Sequence, residues 1–192
     1  ENDAQNKTEA LKLENNFINE MQSVYEQANI LSNKEQAQNI IQEKSNALIE
    51  KYASQATNNS TKTLFSNYAL AEVQKGMFRS NSAVSKNILT ELDNNVNTKK
   101  ERLLTTAFLA EGGFDYSVLQ TDLTKLYTDN YSGRISNAQL KTLVDGIPGE
   151  VQAYEATKLI TDNPREALTT LLDVENYPNL TLKNRQSLIL NV

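Results

Sequence analysis

The chain has 192 residues, a net charge of −5 and a pI near 4.9, and it contains no Cys and no His. Their absence excludes disulfides, zinc–thiolate sites and imidazole catalysis. Six Gly and three Pro are too few for the frequent turns of an all-β fold, and no basic stripe typical of nucleic-acid binders is visible. No apolar run reaches the roughly 20 residues of a membrane span. The composition predicts an all-α fold without sequence-specific nucleic-acid binding or a transmembrane segment.

The first two predicted helices carry narrow apolar rows. In the first helix, residues spaced by three or four share one face: Leu13, Phe17, Met21, Val24, Ala28 and Leu31. Ser32-Asn33 interrupts this row. A second helix is expected from about Asn33 to Ala56, with these residues inward: Ala37, Ile41, Leu48 and Tyr52. Such narrow rows are typical of a coiled-coil seam, which needs a partner helix in the same chain or in another copy.

A third helix is expected after the polar stretch Thr57–Thr63, which favours a loop. One seam of this helix contains Leu64, Tyr68, Ala71 and Phe78, and a second row widens it with Leu70, Val73 and Met77. Two adjacent rows predict contact with more than one neighbour. The stretches "RSNSAVS" near residue 80 and "DNNVNTKK" near residue 97 are poor helix interiors. The sequence leaves open whether one long helix or several shorter ones follow.

After Gly112-Gly113 the helices become short and their start and stop signals regular. Four kinds of signal recur: N-cap residues Asp115, Ser136 and Thr181, the stop at Gly146, first-turn prolines Pro148 and Pro164, and the Tyr177-Pro178 turn. We therefore predict two domains. Long antiparallel helices form a coiled-coil-like bundle over residues 1–110, and a compact block of short helices occupies residues 111–192.

One stretch, "AEGGFDYS", resembles the start of a muramidase motif. In that interpretation Glu111 is the general acid, with its pKa raised by an apolar pocket. The alternative explains every letter by helix packing: Gly112-Gly113 end one helix at positive φ, Phe114 packs across the junction, and Asp115 caps the next helix. The second interpretation is preferred, because the chain continues differently from the muramidase motif.

Other polar groups favour structural roles. Asp122, Asp129 and Asp145 have no calcium-loop spacing and are expected to be caps and solvated side chains. The basic cluster Lys99-Lys100 with Arg102 is expected on a solvated helix face. Five tyrosines lie mostly at apolar spacing, which predicts packing: Tyr25, Tyr52, Tyr68, Tyr127 and Tyr154. We expect no catalytic, cofactor-binding or metal-binding residue and no cofactor.

The segment Tyr154–Asn191 resembles a recurring helical block in tailed-phage internal virion (ejection) proteins and in large tail-associated proteins that carry lytic transglycosylase domains elsewhere. The matching letters are Asn163-Pro164, Ala167-Leu168, Leu171, Tyr177-Pro178, Leu180, Arg185 and Leu188. The long polar helices before this block are similar in texture to the preceding region of those proteins. No transglycosylase catalytic residue has a counterpart in this chain.

The resemblance implies a non-enzymatic structural module that acts in virion assembly or genome delivery and resides in the virion. Its partners would be copies of itself or other virion proteins, reached through helix faces. The alternative is a bacterial helical interaction module, secreted or at the cell surface, and a muramidase-like enzyme using Glu111 ranks third. The chain begins with Glu1 rather than Met, which predicts a fragment or a processed product.

Overall fold

The computed structural model describes residues 2–192, and it confirms the predicted all-α fold. Within this part of the chain no strand is present. The helices are α1 (Asn2–Asn29), α2 (Lys34–Ala53), α3 (Asn59–Leu109), α4 (Tyr116–Tyr131), α5 (Asn137–Asp145), α6 (Ile147–Asp162), α7 (Pro164–Leu172) and α8 (Leu182–Leu190). Two compact units divide inside α3: the first ends at Leu92 and the second runs from Asp93 to Val192.

The first unit is a three-helix bundle of α1, α2 and the first part of α3. The middle of α1 contacts the end of α2, since the Lys51 ammonium lies 3.1 Å from Glu20 Oε1. The same part of α1 contacts the start of α3, where the Phe17 and Phe65 rings meet edge to face at 5.8 Å. Helix α1 is therefore antiparallel to α2 and parallel to α3. The predicted apolar seam of α1 is confirmed, because the buried residues of this helix are Ala10, Leu13, Phe17, Met21, Val24 and Ala28.

Helix α3 differs from the prediction at its start. The expected loop at Thr57–Thr63 is wrong beyond Asn58, because the helix begins at Asn59. The Asn58 side chain caps this start by accepting a hydrogen bond from the Thr61 amide at 2.9 Å.

The helix also runs unbroken past residues 80 and 97. Side chains that would weaken an isolated helix bond to neighbouring helices here. The Asn87 side-chain amide donates to the carbonyls of Asn29 at 2.7 Å and Leu31 at 2.8 Å, and Gln38 donates to Asn81 at 3.0 Å. Tertiary contacts thus override the local propensity.

The predicted inward face of α3 is wrong in part. Leu64, Leu70 and Phe78 are exposed, whereas Val73 and Met77 pack against the core as expected. Small and polar residues occupy most of the buried positions instead: Thr61, Phe65, Ala69, Gly76, Ser80 and Val84. Tyr25 fills the space that a Cβ at Gly76 would need, with ring atoms 2.2 Å from that point. At Gly76, close helix approach and not apolar volume determines which residue faces inward.

The second unit contains the rest of α3 and helices α4 to α8, and its predicted caps are confirmed. Asp115 accepts from the Ser117 amide at 3.0 Å, Ser136 forms a capping box with Gln139, and Thr181 accepts from the Asn184 amide at 3.1 Å. Pro164 opens α7. Helices α4 and α6 bury Leu119, Leu123, Leu126, Tyr127, Ile147, Val151 and Ala156.

The division of the chain into domains 1–110 and 111–192 remains a prediction. Their boundary coincides with the end of α3 at Leu109, whereas the compact units divide between Leu92 and Asp93.

Candidate functional site

The Glu111 stretch forms the turn between α3 and α4. Glu111 is exposed, and Gly112 and Gly113 adopt φ of +89° and +105°, a conformation that favours glycine. Phe114 stacks on Phe108 with ring centroids 4.5 Å apart. The expected glycine turn and the packing of Phe114 across the junction are therefore confirmed. A groove of about 250 Å³ lies beside this turn, and its lining includes Asp115 and leaves out Glu111.

The three aspartates are spread over the second unit. Asp145 pairs with Lys141 one helical turn away, and Asp122 borders the groove beside the turn. Asp129 is exposed near the end of α4. Across residues 2–192, no group of three or more Asp, Glu, His or Cys side chains is placed to hold a metal ion.

A network of tyrosines and carboxylates links the second part of α3 to α4 and α6. Tyr127 donates to Glu150 Oε2 at 2.6 Å, and Tyr131 donates to Asp93 at 2.6 Å. Burial, followed by the hydrogen bond to Asp93, raises the pKa of Tyr131 to about 12. Lys99 and Arg102 are exposed as expected, but the solvated position predicted for Lys100 is wrong, because its side chain is half-buried and lies 3.6 Å from Glu150. These groups therefore serve as contacts between helices.

The tyrosines pack as expected. Tyr52 and Tyr127 are buried, and Tyr25, Tyr68 and Tyr154 are half-buried. The Tyr25 hydroxyl donates to the Glu72 carbonyl at 3.3 Å.

Arg185 lies inside the C-terminal block, although arginine side chains are usually exposed. Its side chain is only 6% exposed. The guanidinium donates to four backbone carbonyls, those of Leu171 (2.9 Å), Asp173 (3.3 Å), Asn176 (2.6 Å) and Tyr177 (2.8 Å). It thereby satisfies carbonyls at the end of α7 and in the turn that follows. The signal available in the sequence was the position of Arg185 in the "x-x-Arg-x-x-Leu" pattern after the Tyr-Pro turn.

The other matched letters of this block also have structural roles. Asn163 caps α7 by accepting from the Glu166 amide at 3.2 Å. Leu171 and Leu180 are buried, and Tyr177 adopts a positive φ of 53°. The pattern quoted from the sequence thus consists largely of the residues that cap, turn or fill this block.

Two exposed apolar rows lie on the first unit. Leu11 and Ile18 on α1 are seven residues apart, and so are Leu64, Ala71 and Phe78 on α3. Leu11 is 57% exposed and Phe78 is 74% exposed. We name these the α1 row and the α3 row. Spacing of seven residues on two parallel helices is typical of surfaces that pack against further helices.

No protein-family model, no curated protein and no solved structure matches this chain. Within residues 2–192, none of the helices combines the length and apolarity needed to cross a membrane.

Proposed function

We propose that the chain is a non-enzymatic helical structural module of a phage internal virion or tail-associated protein, acting in virion assembly or genome delivery. The α1 and α3 rows are the observation that carries this proposal. They expose large apolar side chains at coiled-coil spacing, and such surfaces are typical of sites where helices of another molecule pack.

The C-terminal block supports the phage assignment. The letters shared with the phage helical block include the cap Asn163, the buried Leu171 and Leu180, and the carbonyl-binding Arg185. A resemblance carried by the residues that build a packed unit favours a common architecture. In this proposal the C-terminal block is a scaffold, and the chain acts through the virion proteins that it binds.

Deletion of the gene tests this role. The test uses a strain that carries the gene and releases phage particles. Deleting the gene should lower the number of infectious particles at least tenfold, and expressing the chain from a plasmid should restore that number. Unchanged infectious yield would contradict the proposal. A loss confined to cell-surface adhesion or to secreted material would favour the bacterial interaction module instead.

A second experiment tests the non-enzymatic part. The purified chain should release no soluble fragments from peptidoglycan, and Glu111→Gln should behave identically. Fragment release by the native chain that Glu111→Gln abolishes would establish the muramidase hypothesis, with Glu111 as its general acid.

A further inference from the structure

The α1 and α3 rows lie at matching levels along two parallel helices. Three contacts fix the alignment. The Thr61 hydroxyl lies 3.4 Å from Glu9, the Phe17 and Phe65 rings are 5.8 Å apart, and Tyr25 contacts Gly76. A residue of α1 is therefore level with the α3 residue about 50 positions later.

This alignment places the members of the two rows in layers. Leu11 lies near the level of Leu64, and Ile18 near the level of Ala71. The half-buried Tyr25 continues the α1 heptad at the level of Phe78. Apolar layers that repeat every two helical turns are typical of surfaces where the helices of a coiled coil pack against other helices.

The charges on the two helices are opposite in sign. Acidic residues outnumber basic ones on α1, which carries Asp3, Glu9, Glu14, Glu20 and Glu26 against Lys7 and Lys12. The first-unit part of α3, which ends at Leu92, is net basic, with Lys62, Lys75, Arg79 and Lys86 against Glu72 and Glu91. Part of the negative charge is already engaged within the chain, since Glu9 binds Thr57 and Glu20 binds Lys51.

Next to the rows themselves, two of the cations are paired within the chain. Lys7, one turn before Leu11, binds Asp3 at 3.3 Å, and Lys75, one turn from Phe78, binds Glu72 at 3.4 Å. The contrast that remains is between the net negative charge of α1 and the net positive charge of this part of α3, and such helices complement each other when two copies meet.

We infer that the surface formed by the α1 and α3 rows binds a second copy of this chain, with the α1 row of one copy against the α3 row of the other. Each copy then contributes both rows, so the contact is two-fold and closes as a dimer. Leu11 and Phe78, the most exposed large side chains of their rows, become apolar contacts at the two ends of this surface. The inference deepens the proposed function by naming a partner for the first unit.

Sedimentation velocity over a hundredfold range of concentration tests this surface. The native chain should shift from monomer to dimer as concentration rises, and Phe78→Lys should raise the dissociation constant about tenfold or more, because it places a cation in an apolar contact. Ile30→Lys is the matched control: Ile30 is 79% exposed, lies outside both rows, and receives the same new charge. The control should dimerise like the native chain.

Leu11→Lys provides a second variant, on the α1 row, and circular dichroism checks that each variant stays helical. Higher salt should weaken the dimer, because screening reduces attraction between the oppositely charged helices. A native chain that stays monomeric throughout the range would overturn the inference. So would a dimer that survives both row substitutions. Either result is separable from the proposed function, which depends on the effect of gene deletion on infectious yield.

Discussion

Replacing Arg185 with Met perturbs the C-terminal block at its most connected side chain. A hydrogen bond from a charged donor contributes about 1.5–3 kcal/mol. The four bonds of Arg185 do not add fully, because burying the guanidinium itself costs several kcal/mol. In the variant, the Leu171 carbonyl loses a donor at a buried position, whereas water can reach the other three carbonyls, whose contacts are only partly buried. We expect a loss of about 3 kcal/mol in the free energy of unfolding.

Urea denaturation followed by circular dichroism measures this loss. A destabilisation of about 3 kcal/mol should lower the midpoint by roughly 1–3 M, given a typical dependence on urea. Arg185→Lys should recover only a minor part, since one ammonium group cannot reach carbonyls that the planar guanidinium spans.

Arg165→Met makes the same substitution at an exposed arginine in the first turn of α7. It should change stability by less than about 0.5 kcal/mol. The account of Arg185 would be refuted if Arg185→Met matched this control, or if Arg185→Lys were as stable as the native chain.

Two further predictions concern the first unit. Gly76→Ala should destabilise the bundle by about 1–3 kcal/mol, because the new methyl group overlaps the ring of Tyr25. In a Tyr25→Ala background the same change should become neutral or stabilising by up to about 1 kcal/mol, as the helix propensity of Ala predicts; equal destabilisation in both backgrounds, measured by urea titration, would contradict the overlap. The second prediction concerns pH: the hydrogen bond from Tyr52, helped by Lys51, lowers the pKa of Glu20 in the folded chain. Its stabilisation is therefore complete above the carboxyl group's ordinary pKa of 4.5 and is lost as the pH falls through the lower folded value. Tyr52→Phe should accordingly destabilise the chain more at pH 7 than at pH 3, and a difference independent of pH in thermal melts would disprove the coupling.

The sequence was sufficient for elements whose signals are local or strongly apolar. The buried seam of α1 was predicted correctly because Phe17 and Met21 are large residues at regular helical spacing. The caps at Asp115, Ser136 and Thr181 were predicted because capping depends on a side chain and amides two or three residues away.

Helix α3 shows why the rest could not be predicted. Hydrophobicity selected Leu64 and Phe78 as inward, but Gly76 and Ser80 face the bundle because they let the helices approach closely. The absence of a break near residue 80 depends on hydrogen bonds across the bundle, such as that between Gln38 and Asn81. No window of α3 alone contains that information.

For the candidate sites too, local signals were sufficient for a correct prediction and long-range contacts could not be predicted. The preferred interpretation of the Glu111 turn rested on local glycine and capping signals, and those signals were correct. The buried position of Arg185 was missed because its acceptors lie 8 to 14 residues earlier in the chain, and only the fold brings them together.

The proposal that this chain is a virion component is tested most directly by measuring where it resides. Particles released by a strain that carries the gene would be purified on a density gradient, and the chain quantified against the capsid and tail proteins by mass spectrometry with isotope-labelled peptides. The account predicts that the chain sediments with intact particles at a constant ratio of several copies per particle. Recovery of the chain only in cell-envelope or culture-medium fractions, with none in the particles, would contradict it.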